Sequence, residues 1–212
     1  IGTVLRDDPE LTCRLPGCEN PTRIILDGSI RLPLTSKIAL TAEEVPTIVI
    51  SRSPDAEKSR RLREMGVEVV ELSDPTRSES ADAAQYAEKR LESVLDVLSE
   101  RGLERVFVEG GASVITSFLR SDLVDSLIVV TAPIIIGEGI SSVGNLDVAA
   151  LTEAYRPKVE KIYTIGQEVV HRLVFERETP TWAQCADRFT SHPRGAWKYG
   201  KNSSKRTQVH LS

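Results

Sequence analysis

Three short stretches bring polar and chargeable groups to points where apolar runs stop. The run Val106-Phe107-Val108 ends at Glu109-Gly110-Gly111-Ala112-Ser113, after which Val114, Ile115, Phe118 and Leu119 recur at helical spacing. This is the pattern of a strand, a tight glycine turn and a helix. Such a unit offers backbone N–H groups and the positive end of a helix dipole. Glycine removes the Cβ that would hold a ligand away from the backbone. A phosphate or pyrophosphate suits the turn, although an ordinary strand-to-helix connection has the same pattern, and the spacing is not Gly-x-Gly-x-x-Gly. The second stretch, Thr3 to Arg14, carries Asp7-Asp8-Pro9 and is either a ligand loop or a solvated connector. The third, Ser51-Arg52-Ser53, follows the apolar run Thr47 to Ile50. An arginine between two hydroxyls suits a dianionic phosphate, or is simply solvated.

Other chemistries find few materials. Before Pro180 the only histidine is His171, which falls in a strand pattern, so a Ser-His-Asp or Cys-His system is hard to assemble. The three cysteines, Cys13, Cys18 and Cys185, have no metal-ligand spacing, and no metal is expected. Their scatter points away from a disulfide framework and towards a reducing, cytoplasmic setting. No apolar run is long enough to span a membrane. The formal net charge is −4, and the stretch from Pro180 on is basic, so the body is distinctly acidic and nucleic acid is an unlikely main partner. What remains is a site that binds phosphates and positions a reacting pair, which fits cofactor redox chemistry.

The elements that must position these stretches alternate. Thr22 to Leu26, Thr47 to Ile50, Val67 to Leu72, Val106 to Val108 and Ser126 to Ala132 read as strands. Ala56 to Met65, Asp82 to Glu100 and the segment from Ala112 to about Arg120 read as helices, the second with a stripe of Ala84, Ala87, Leu91, Val94, Leu95 and Leu98. Val106 to Val108 reads as buried on both faces. Arg31 to Ile38 reads as a proline-interrupted loop. Ile162 to Ile165 and Glu168 to Glu176, joined by Gly166-Gln167, read as an antiparallel hairpin. The sum is an α/β, three-layer sandwich with a mixed sheet. Residues 1–179 form the domain, and 180–212 form a basic, flexible tail without an apolar period.

The runs Gly2-Thr3-Val4-Leu5-Arg6-Asp7-Asp8-Pro9-Glu10-Leu11-Thr12-Cys13-Arg14, Pro21 to Asp27 and Val108 to Val114, with Leu123-Val124-Asp125, Ala132-Pro133 and Gly137-Glu138-Gly139, resemble the riboflavin-biosynthesis reductase family. That family comprises the RibD-type reductase domain and its free-standing fungal and archaeal relatives. The resemblance covers most of residues 1–178. It implies a dihydrofolate-reductase-like fold, a homodimer, and NADPH-dependent reduction of a phosphoribosylamino-pyrimidinone to the ribitylamino form, within riboflavin biosynthesis. By residue, it implies that Thr3 and Asp7 contact NADPH, as do Gly110, Gly111, Ala112, Ser113, Val114, Ile115, Thr116 and Ser117. Ser51 and Arg52 are candidates for the cofactor's 2′-phosphate.

Leu11, Arg14 and Glu109 are implied to face the substrate. Arg14 offers a five-donor fork for a ribose phosphate, or else pairs with Glu10 or Asp8. Glu109, at the end of a strand expected to be buried, needs a polar ligand group or a structural partner. Thr3 contacts the cofactor or caps Arg6 or Asp7. No residue identifies itself as the proton donor.

The family has an opening strand ahead of the position of Gly2, and this chain opens on Ile1-Gly2-Thr3 with Met65 as its sole methionine, so an upstream segment is expected to be absent here. The alternatives left open are the deaminated uracil as substrate, another dihydrofolate-reductase-like reductase such as one for a pterin, a non-catalytic nucleotide-binding relative, and a tail that binds nucleic acid.

Overall fold

Short runs rich in β-branched residues give the strands of a computed structural model that describes residues 1–52, 55–72, 83–176 and 206–211, with the backbone alone for 83–89 and 206–211. The chain divides into two units, Ile1–Val97 and Leu98–Ser212.

The first unit contains α1 (Gly2–Asp7), β1 (Arg23–Leu26), α2 (Lys37–Leu40), β2 (Thr47–Ser51), α3 (Ala56–Glu64) and β3 (Val67–Glu71). Its three strands lie in the order β1-β2-β3, all parallel, with Ile25 opposite Val49 and Val49 opposite Val69. The middle strand is buried at every position, as a parallel strand covered on both faces should be. Val4, Ile25, Ile30, Leu32, Ile38, Val49, Leu62 and Val67 form the core. Each fully buried aliphatic side chain there contributes about 1.5–3 kcal/mol.

Asp55 caps α3 by accepting from Lys58 N at 2.8 Å. Gly66 ends it at φ 86, and a Cβ there would lie 3.1 Å from the Glu43 backbone. The loop expected over Arg31 to Ile38 contains the start of α2. Its cap is Ser36, whose Oγ accepts from Ala39 N at 3.3 Å. A four-residue helix is too short to show a period in sequence.

The second unit holds the end of α4 (Ala83–Glu100), then β4 (Arg105–Glu109), α5 (Ala112–Arg120), β5 (Ser126–Thr131), a short 3-10 turn at Leu151–Glu153, β6 (Lys158–Ile165), β7 (Glu168–Val174) and β8 (Arg206–Leu211). Its sheet runs β4-β8-β5-β7-β6 and is mixed. β8 is parallel to both neighbours, with Gln208 opposite Phe107 and Val209 opposite Leu127. β5, β7 and β6 are antiparallel, and Gly166-Gln167 closes the expected hairpin with Ile165 opposite Glu168.

The tail expected over 180–212, without an element, contains one strand: 206–211 is paired on both sides. A slot between β4 and β5 presents two rows of backbone groups that need partners, and that demand outweighs the weak alternation of Thr207, Val209 and Leu211. Residues 180–205 and 212 lie outside the described residues. The apolar run of β4 suggests burial on both faces, but β4 is the edge strand of its sheet, and Phe107 is 46% exposed.

Candidate functional site

The acid-rich stretch is shaped by α1 and by what stops it. Asp8 takes a left-handed conformation at φ 40, and its amide donates to Val4 O at 3.1 Å. Its Oδ1 accepts from Lys37 N, the first amide of α2, at 3.0 Å. A carboxylate at a helix start is favoured by the helix dipole. Leu11 is also left-handed, at φ 52. A non-glycine residue in that region costs on the order of 1 kcal/mol or more, so neighbours must hold it. Further along, Cys13 N donates to Asn20 Oδ1 at 2.9 Å.

Arg23 opens β1 and is 2% exposed. It donates from Nε to Thr47 Oγ1 (3.0 Å), from Nη1 to Glu10 O (3.1 Å) and Thr41 Oγ1 (2.8 Å), and from Nη2 to Ile38 O (3.1 Å), Thr41 O (3.2 Å) and Val45 O (3.0 Å). Burial lowers its pKa from the usual arginine value. The carbonyl dipoles around it stand in for water.

Of the sequence-derived candidates here, Thr3 and Leu11 are half-buried, and Asp7 and Arg14 are exposed. No side chain caps α1, so Thr3 does not serve as its cap. Among the described residues no ion pair joins Arg14 to Asp8 or Glu10.

Ser51 and Arg52 stand at the carboxyl end of β2, beside Asp27-Gly28 at the end of β1. Open α/β sheets place ligands at such strand ends. Ser51 is fully buried, and its Oγ donates to Gly28 O at 3.2 Å, so its hydroxyl braces the rim. Arg52 is exposed, and its guanidinium lies over Gly28, where a Cβ would come within 2.9 Å of Nη2. Ser53 lies outside the described residues.

In the second unit, Gly110 (φ 67) and Gly111 (φ 79) turn the chain from β4 into α5. Gly111 is the N-cap residue, and no side chain caps the helix. The amides of Val114 and Ile115 turn back to Gly111 O at 2.9 and 3.1 Å, which makes the amides of Ala112 and Ser113 the open start of the helix. A Cβ on Gly111 would meet only Val114 Cγ2, at 3.8 Å. The turn is exposed at Gly110, Gly111 and Ser113.

Its eight candidate residues divide. Gly110, Gly111 and Ser113 are exposed, and Ala112 and Val114 are half-buried. Ile115 and Thr116 face inward. Thr116 Oγ1 donates to Ala112 O at 2.6 Å and accepts from Gly144 N at 2.7 Å, while Ser117 Oγ donates to Ser113 O at 2.9 Å. These two hydroxyls hold the helix and the loop beside it, which Asp147 pins again through an ion pair with Arg120. Glu109 was expected to end a buried strand and to require a partner, but on an edge strand it is exposed and carries no burial cost.

Sequence reasoning missed Asp8, Arg23 and Gly144. The available signals were a charged residue opening an apolar strand and an acid ahead of Pro9; nothing local marks Gly144. Among the described residues, no group of three metal-ligating side chains occurs, and no helix is long and apolar enough to cross a membrane.

Comparison with known proteins adds an independent line. Residues 1–171 match the RibD C-terminal domain family. The riboflavin biosynthesis protein RibD of Aquifex aeolicus is 36% identical over 178 residues, covering 84% of this chain and 45% of that protein. The 2,5-diamino-6-ribosylamino-4(3H)-pyrimidinone 5′-phosphate reductase of Archaeoglobus fulgidus is 33% identical over 189 residues, covering 84% of this chain and 78% of that one. A solved structure from Thermotoga maritima, a diaminohydroxyphosphoribosylaminopyrimidine deaminase/5-amino-6-(5-phosphoribosylamino)uracil reductase, is similar with a TM-score of 0.60 at 28% identity, over 82% of this chain and 43% of that chain. The chain thus spans under half the length of this RibD relative and of the solved bifunctional protein. With most of its length matched and its mixed α/β architecture in agreement, this chain belongs to the RibD C-terminal domain family.

Proposed function

We propose that this chain is an NADPH-dependent reductase of a phosphoribosylamino-pyrimidine, converting the ribosylamino group of 2,5-diamino-6-(5-phosphoribosylamino)pyrimidin-4(3H)-one to the ribitylamino form. The observation that carries the reading is the exposed glycine turn opening an uncapped helix. It supports a dinucleotide reading, in which the Gly110–Ser113 backbone would hold the pyrophosphate and Val114 would line its approach. Thr3 and Asp7 would meet the cofactor, and exposed Arg52 would take a 2′-phosphate. NADPH, when bound, supplies the hydride. Leu11 and Arg14 would hold the substrate, Arg14 by charge-assisted bonds to its phosphate, and Glu109 is a separate candidate contact. With the sugar ring opened to an imine, hydride addition at C1′ and a proton on the adjacent nitrogen complete the reduction. Binding of this kind contributes to the rate by holding donor and acceptor in line.

The archaeal relative's name and coverage favour the diaminopyrimidinone as substrate. The deaminated uracil is the second reading, favoured by the name of the Thermotoga protein. A cytoplasmic homodimer accompanies the proposal. β6 is exposed along its whole length, with Val159, Ile162 and Ile165 uncovered, and Ile134, Ile135 and Ile136 in the same unit are also exposed. Exposed apolar side chains of this kind support self-association.

Mixing the chain with NADPH and each pyrimidine, and following loss of reduced-nicotinamide absorbance, tests the proposal. Faster oxidation with the diaminopyrimidinone is the expected result. Faster oxidation with the uracil would transfer the assignment to the second substrate. NADPH binding without oxidation by either would leave a nucleotide-binding relative. Arg52→Ala should weaken NADPH about tenfold and leave NADH unchanged.

A further inference from the structure

We propose that Arg23 and Asp8 are positioning residues for the loop that presents Leu11 and Arg14 to a phosphorylated ligand. Neither belongs to the contacts assigned above. Arg23 gives its buried fork to carbonyl and hydroxyl oxygens, and one of these, Glu10 O at 3.1 Å, lies between the two left-handed residues, Asp8 and Leu11. An arginine serving the strand alone has no need to reach that loop. Asp8 fixes the other end by accepting from Lys37 N at 3.0 Å.

Both anchors meet at α2. The first amide of that helix takes Asp8, while Ile38 O and Thr41 near its far end take Arg23, which in turn takes Glu10. A four-residue helix buried at Ile38 and Ala39 therefore brackets the loop at two points. The bracket holds the left-handed backbone at Leu11, and with it the direction in which the chain carries Arg14 into solvent.

The substrate part of this inference rests on the reductase reading; the bracket itself does not, and the test separates them. Trypsin cleavage after exposed Arg14 reports the loop, and cleavage after Arg60 and Arg61 on α3 reports the unit as a whole. Arg23→Lys replaces the spanning fork with a point donor. Asp8→Gly removes the acceptor while tolerating the left-handed backbone, and Asp8→Asn keeps both.

The expected result is about tenfold faster cleavage after Arg14 in Arg23→Lys and Asp8→Gly, no change at α3, and the parental rate restored in Asp8→Asn. Unchanged cleavage after Arg14 in both variants, or equal acceleration at Arg60 and Arg61, would overturn the bracket. In turnover, the same two variants should raise the KM for the pyrimidine phosphate about tenfold with kcat and the NADPH KM unchanged. A fall in kcat at constant KM would overturn the link to Leu11 and Arg14. If the parent chain reduces neither pyrimidine, the reductase reading fails while the cleavage rates still decide the bracket.

Discussion

The loop from Asp8 to Arg14 takes left-handed backbone at residues with side chains, Asp8 at φ 40 and Leu11 at φ 52, whereas the turn before α5 takes it at two glycines, Gly110 at φ 67 and Gly111 at φ 79. The first arrangement is costly by itself and stands because Arg23 and the α2 amide hold it. The second needs no external support, because glycine has no Cβ to clash. Their offerings to a ligand differ accordingly. The loop presents side chains, with a guanidinium at Arg14; the turn presents backbone amides and a helix end. A recognition loop built from side chains depends on residues that never touch the ligand, while a glycine turn is nearly self-contained.

Substitutions can break or sharpen this contrast, and the largest effect should come from the support of the loop. Arg23→Met strips partners from the carbonyls of Glu10, Ile38, Thr41 and Val45 and should cost about 3–5 kcal/mol in denaturant unfolding. A loss below about 1 kcal/mol would mean that water replaces the guanidinium and that the loop does not depend on it. Next, Arg14→Ala should cost about 2 kcal/mol of substrate binding, seen as a roughly 30-fold higher substrate KM with NADPH saturation unchanged. If NADPH saturation suffers instead, the loop serves the other ligand.

On the turn, Gly111→Ala forces a side chain into left-handed backbone, at about 1 kcal/mol, and should weaken NADPH severalfold in a binding titration while sparing substrate. Equal affinity would show that the turn does not meet the cofactor. The smallest change is expected at Ser117→Ala, because that hydroxyl donates to its own helix at Ser113 O. Unfolding free energy should move by less than about 0.5 kcal/mol.

Much of the architecture was legible in the residues themselves. The strands of the first unit, the helices α3, α4 and α5, and the β6–β7 hairpin are all legible in local patterns. So was the glycine turn, because Gly110-Gly111 followed by Val114, Ile115, Phe118 and Leu119 encodes both the break and the helix that follows. These features are set by neighbours within a few positions, and side-chain period reflects that directly.

The tertiary structure decided what has no local period. It gave Thr116 to Gly144 and Asp8 to Lys37, partners 28 and 29 residues apart in sequence. It buried Ser51 as a brace and left Glu109 exposed at a sheet edge. It placed residues 206–211 between β4 and β5, a position that no pattern in a basic stretch announces. Local sequence specifies which elements form. Which buried donor meets which acceptor, and which strand fills an open slot, depends on the need of every desolvated polar group for a partner, and that need is met across distances the sequence does not mark.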